Sequence, residues 1–416
     1  MIKSEKNKYI KMIAKGTLQL KNLSEELKSD KDIVEESIKK DWSSFQFASE
    51  SLKNDINAVK EFLLINGQIF QFTSDELKIN RELCLLAIKE SRGNQYQFVK
   101  NLDKEDREFI KESVMLAGSS IEFVTDKYKD DFEIAKIAVN QTGYAFKYLS
   151  KNLKNNSELL IDSVKQLKNG YILDCASDEL RTNINLILEL LDYVEESKWL
   201  IKNSHEDIKN NFEIILKAVK IYGNALEFAS LEIKNSKKIV NEAVLQDYSS
   251  IKYASPEILD DLEFLFQILD LPKREFQRLG YNILISGSER VKNNRDLVIK
   301  ILKRDGHNFL SLIDDFLSDE ELVCIAICNV GHAARISKKI IPKNNEFLKY
   351  IMDLNEHILY GKYEYYKTEL LTSKERVLTI LNVHYKNYDN KFKNSIPKEF
   401  LNEIEISNKI NELELK

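Results

Sequence analysis

Three stretches of this chain follow one template without a gap: SDKDIVEESIKKDWSSFQFASESL from Ser29, DDFEIAKIAVNQTGYAFKYLSKNL from Asp130 and NSKKIVNEAVLQDYSSIKYASPEI from Asn235. A repeat of this length decides the fold class before any single residue does. Taking a mid-helix residue as reference, the unit recurs at Ser37, Phe62, Ala87, Ser113, Ala138, Ser163, Leu190, Ala218, Ala243, Ile268, Ile301, Ala326 and Ile351. Most steps are 25 residues, interrupted by steps of 26, 27, 28 and 33.

Seven residues before each reference stands Asp, Asn or Ser, from Asp30, Asp55 and Asn80 through Ser236 and Asp261 to Asn344. These side chains accept the orphan N–H groups of a first helical turn, so each marks a helix start. Acidic residues such as Asp32, Glu82, Glu133 and Glu213 follow in that turn, where the helix dipole favours them. Apolar residues then fall four and three before the reference, at it and one after, as in Ile239, Val240, Ala243 and Val244. That spacing makes one apolar stripe on a helix of about three turns. Gly67, Gly93, Gly118, Gly143, Gly170, Gly223, Gly306 and Gly331 stand where this helix should end. Left-handed C-terminal caps are the expectation for them. A short second helix follows, with aromatic pairs such as Phe45 and Phe47 or Phe146 and Tyr148 wedging between long helices.

A unit this small cannot bury its own apolar face, so neighbours must stack. The predicted fold is all-α: an α-solenoid of about thirteen 25-residue helix-hairpin repeats with a C-terminal capping helix. Only 12 Gly and 4 Pro in 416 residues agree with helix throughout. The expected organisation is a regular solenoid over 1–270, irregular repeats over 271–360, and a degenerate repeat with the cap over 361–416. The 33-residue step holds the insertion LGYNILISGSE.

The repeat signature resembles the repeats of the domain-of-unknown-function family 4116, well over residues 24–260 and weakly over 290–360. SLEIKNSKKIVNEAVLQDYSSIKYAS from Ser230 and KNNFEIILKAVKIYGNALEFAS from Lys209 carry it best. The resemblance implies the fold and brings no catalytic residue with it.

A net charge of −5 excludes a globally basic nucleic-acid binder and leaves room for a local patch. Residues 272–307 hold nine basic side chains against four acidic ones, and five of the eleven arginines in the chain. Guanidinium is the better bidentate partner for phosphate or carboxylate. The candidate binding residues are therefore Arg274, Arg278, Arg290, Arg295 and Arg304, with His307, His332 and Arg335 beside them. His307, His332 and His357 occupy one template position 25 residues apart, where other repeats carry Ser43, Gln68, Asn94, Ser119, Asn224 and Ser249. Cys324, Cys328 and His332 follow a helical spacing but offer no fourth ligand, so no metal and no cofactor is expected. The aromatic run YGKYEYYK from Tyr360 reads as packing at a solenoid end.

No P-loop, GxGxxG, HExxH, GxSxG or CxxC pattern occurs. No run of 18 apolar residues exists, and the charged start MIKSEKNKYIKM has no secretory core, so the expected setting is the cytosol without membrane contact. These features predict a non-catalytic scaffold or adaptor holding a protein partner on its concave surface, with nucleic acid or a nucleotide at the Arg/His patch as the alternative.

Overall fold

In the computed structural model every described reference residue lies in a helix or ends one. The structure describes residues 3–100, 106–272, 279–313, 316, 319–329, 374, 377, 378, 381, 396 and 398–414. The chain divides into two compact units, Met1–Lys209 and Asn210–Lys416. Both are all-α repeat stacks of the solenoid class, and no strand is formed among the described residues.

The expected hairpin has three pieces. Asp131 accepts the N–H of Ile134 and opens the ten-residue helix Phe132–Gln141; the six-residue 3-10 helix Gly143–Tyr148 follows. The four-residue helix Glu50–Lys53 is an example of the third piece. The same order runs through Lys31–Lys40, Trp42–Phe47 and Glu50–Lys53, and again through Lys237–Gln246, Tyr248–Tyr253 and Pro256–Leu259. Side-chain caps form at Asp30, Asp55, Asn80, Asp106, Asn156, Asn183, Asn211, Asp261 and Asn294, whereas Ser236 holds the N-cap position without one.

The apolar stripe is the core. Ile134, Ala135, Ala138 and Val139 are fully buried, as are Ile239, Val240, Ala243 and Val244. Where the reference is serine its hydroxyl is satisfied inside: Ser37 Oγ donates to Ile33 O at 2.8 Å and Ser113 Oγ to Phe109 O at 2.7 Å. In the 3-10 helices, with three residues per turn, the first aromatic of each pair points inward and the second toward the surface. Phe45, Phe70, Tyr96 and Phe146 are buried accordingly, and Phe45 meets Phe62 of the next long helix edge-on at 5.7 Å.

Repeats are also tied by polar ladders. One backbone N–H per repeat reaches the previous short helix: Ser49 to Lys28 O at 3.0 Å, Ser74 to Lys53 O at 3.2 Å, Ser150 to Lys129 O at 3.1 Å and Ser255 to Lys234 O at 3.0 Å. The lysines at this position are placed, not compositional noise. Lys28, Lys53, Lys209 and Lys292 pair with Glu25, Glu50, Glu206 and Glu289 at 2.7–3.1 Å, their stems mostly buried.

The glycines correct the sequence expectation. Of those expected as left-handed caps and described, only Gly93 has a positive φ, at 93°. Gly67, Gly118, Gly143, Gly223 and Gly306 instead begin 3-10 helices, where the next repeat leaves no room for a side chain. A Cβ on Gly118, Gly223 or Gly306 would sit 2.4 Å from the carbonyl oxygen of Ala138, Ala243 or Ala326. The Gly223 N–H also donates to Gln246 Oε1 at 2.6 Å, so the contact is bonded as well as tight.

The irregular steps have a structural cause. Long helices Ile184–Leu190 and Leu262–Ile268 stop after seven residues. The extra residues then form the α-helices Lys198–Asn203 and Leu279–Ser286, which pack where a 3-10 helix would lie. The insertion read from sequence is thus largely helix. At the C-terminal end Lys398–Leu401 and Ile404–Glu414 are helical, while the repeat they were expected to cap falls outside the described residues. Among the described residues no helix is long and apolar enough to cross a membrane.

Candidate functional site

Of the residues singled out in the sequence, Arg290, Arg295, Arg304 and His307 are described, whereas Arg274, Arg278, His332 and Arg335 lie outside the described residues. The side chains of Cys324 and Cys328 lie outside them as well, and so does the run from Tyr360. The three described arginines turn to neighbouring elements. Arg295 follows its helix cap Asn294 and bonds Asp319 at 3.2 Å and Glu321, the cap and first-turn acids of the next long helix. Arg81 reaches Asp106 at 2.9 Å in the same way, and Arg107 reaches Asp131 at 3.1 Å and Glu133 at 2.6 Å. One carboxylate therefore caps its own helix and receives a cation from the repeat before. Arg290 pairs with Asp260 at 2.9 Å.

Arg304 holds the irregular repeat. Its guanidinium donates to Leu269 O at 2.8 Å, to Leu271 O and to Pro272 O at 3.1 Å, and lies 5.4 Å from the centroid of the Tyr248 ring. Tyr248 stands where most regular repeats have the packing glycine, and its side chain is buried. His307 is exposed, and its Nδ1 lies 2.9 Å from Asp305 Oδ1. We expect Arg295→Glu combined with Arg304→Glu to destabilise the second unit by about 2 kcal/mol, since acceptors at both sites lose their donors. Thermal unfolding of the variant checks this; an unchanged midpoint would mean that the guanidiniums hold nothing together.

The ladder predicts acid sensitivity. The Glu133 carboxyl is held at about 2, from an ordinary 4.5, by hydrogen bonds from Lys111 and then Arg107. Asp106 is lowered by the Phe109 N–H, against partial burial, and by Arg81; Asp261 is lowered by Lys237 and the Phe264 N–H. A carboxyl depressed by folding stabilises the folded state fully above its unfolded value and loses that contribution as pH falls through the folded one. The melting temperature should therefore begin to drop below about 4.5 and keep falling toward 2. A midpoint independent of pH over this window would remove the ladder's role.

A different surface stands out. The residue near the start of the 3-10 helix is polar in Ser43, Gln68, Ser119, Asn224, Ser249 and His307, whereas three successive repeats place Tyr144, Tyr171 and, in the α-helix that replaces the 3-10 helix, Trp199 there. Tyr144 and Tyr171 are 53% and 55% exposed, and Trp199 is half-buried. Tyr171 meets Trp199 edge-on at 6.2 Å, and the ammonium groups of Lys198 and Lys202 lie 5.2 and 5.0 Å from the Trp199 ring centroid. Asn203 Nδ2 donates to Tyr171 O at 3.1 Å, fixing one ring-bearing segment to the next. Sequence reading missed this row because the steps of 27 and 28 residues shift Tyr171 and Trp199 out of simple register. Gly143, Gly170 and Lys198, each one residue before its ring, begin or cap the short helices and restore it.

The model of the family described as Domain of unknown function (DUF4116) matches residues 7–53, 31–78, 55–104, 80–129, 106–154, 131–181, 183–234 and 211–259. The chain belongs to this family. Matches beginning at 55, 80, 106, 131, 183 and 211 start on the caps Asp55, Asn80, Asp106, Asp131, Asn183 and Asn211. Six of the eight DUF4116 matches therefore open at a long-helix N-cap, and each match spans about two structural repeats. The aromatic row falls inside the matches over 131–181 and 183–234. Comparison with curated proteins and with solved structures gives no match.

Proposed function

We propose that this chain is a non-catalytic helical-repeat scaffold or adaptor that holds a protein partner against Tyr144, Tyr171 and Trp199. The observation that carries this reading is three consecutive aromatic side chains at a surface position that other repeats keep polar. Large rings bring much contact area at little conformational cost, and Tyr and Trp dominate the energetically decisive residues of interfaces. The described arginines of the basic stretch support internal clamping, since their donors are engaged by Asp260, Asp319, Glu321 and three carbonyls.

The test is quantitative recovery of partners on the tagged full chain, with and without nuclease, beside the Tyr144→Ser, Tyr171→Ser, Trp199→Ser triple variant. A stoichiometric protein that survives nuclease and binds the variant at least 100-fold more weakly is expected, from about 2 kcal/mol or more per lost ring. Equal recovery on both, or recovery of nucleic acid alone, would overturn the reading.

A further inference from the structure

The first repeat departs from the others at the place where successive 3-10 helices normally close together. Its 3-10 helix is only Leu20–Asn22, and the chain reaches it through Gly16 at φ 73°, a left-handed turn that favours glycine. The next 3-10 helix opens with Trp42, not glycine. A cavity of about 430 Å³ remains between these segments, within the range of small-molecule sites.

Its lining mixes apolar and cationic side chains. Leu18, Leu20 and Phe47 are apolar, and Phe47 is 38% exposed. Lys21 and Lys40 also line it and are exposed, and neither forms an ion pair or hydrogen bond among the described residues. The end of the Lys40 side chain lies beside Gly16. The carboxylate on the wall, Asp41, is engaged by Ser43 N at 3.0 Å and Ser43 Oγ at 2.8 Å. Ser44 also lines the cavity, and its buried Oγ has no hydrogen-bond partner among the described residues.

We propose that this cavity binds a small amphipathic organic anion. Its charged head lies between Lys21 and Lys40, and its apolar body lies on Leu18, Leu20 and Phe47. The site is independent of the aromatic row, which lies in other repeats. The probe is 1-anilinonaphthalene-8-sulfonate, titrated by fluorescence into the full chain. The expected result is saturable binding of one probe per chain, weakened at least tenfold by Lys21→Glu with Lys40→Glu. The uncharged N-phenyl-1-naphthylamine should bind without that dependence. Hydrogen exchange on the wild type with saturating sulfonate should show protection confined to residues 13–22 and 37–47, which decides the matter even if the variant unfolds. Non-saturable binding, affinity unchanged in a folded double variant, or protection elsewhere would overturn the proposal.

Discussion

Phe146→Ala is expected to remove about 4 kcal/mol from the stability of the first unit, in the usual range for emptying a fully buried aromatic site. Phe146 has no exposed surface, and its 3-10 helix lies between the long helices Phe132–Gln141 and Ser157–Leu167. Neighbours on both sides therefore lose contacts at once. Because each repeat touches only the next, the damage should be local. Urea unfolding read by hydrogen exchange should show lost protection over roughly residues 126–175, with the second unit unchanged. Tyr148→Ala, at the half-buried second position of the pair, should cost about 1 kcal/mol, the ordinary size of a surface-proximal change. Equal losses for the two variants would contradict the inward and outward assignment of the pair.

Gly223→Val should cost about 3 kcal/mol, at the upper end of overpacking effects. The obstacle is main chain: a Cβ would lie 2.4 Å from Ala243 O, at the end of the next long helix. A carbonyl in a helix cannot rotate away as a flexible side chain would, so the two repeats must move apart. The Gly223 N–H to Gln246 bond is strained by the same motion. Gly223→Ala should already destabilise by more than 1 kcal/mol, although alanine favours helical backbone. Thermal melts of both variants check the order; a stabilised Gly223→Ala would mean that the glycine serves conformation and not close approach.

Much of this architecture was legible in the sequence because its signals are local. Asp30, Asp55, Asn80 and Asp131 cap helices through their own side chains, and the apolar spacing within ten residues fixes the buried face. The role of the glycines was not legible, since Ala243 O approaches Gly223 from the next repeat. The arginines were read as a patch for the same reason. Arg295 and Asp319 are 24 residues apart, and only the stacking of repeats shows that the guanidinium faces a carboxylate. Tyr144 keeps the regular spacing, but the row was hidden because Tyr171 and Trp199 do not: Leu191–Tyr193 and Lys198–Asn203 replace the end of a regular long helix and the 3-10 segment after it. The lysine position beginning at Lys28 and Lys53 could have been found by tabulating the register nine residues before each reference.

The most direct test of the aromatic row is site-specific photo-crosslinking in the native cell. p-Benzoylphenylalanine replaces Tyr144 or Tyr171, and separately Met115, which is 59% exposed on a long helix. One and the same protein adduct is expected from 144 and 171, resistant to nuclease and absent from 115. Adducts of nucleic acid, or the same yield from all three positions, would contradict a partner-binding row at Tyr144, Tyr171 and Trp199.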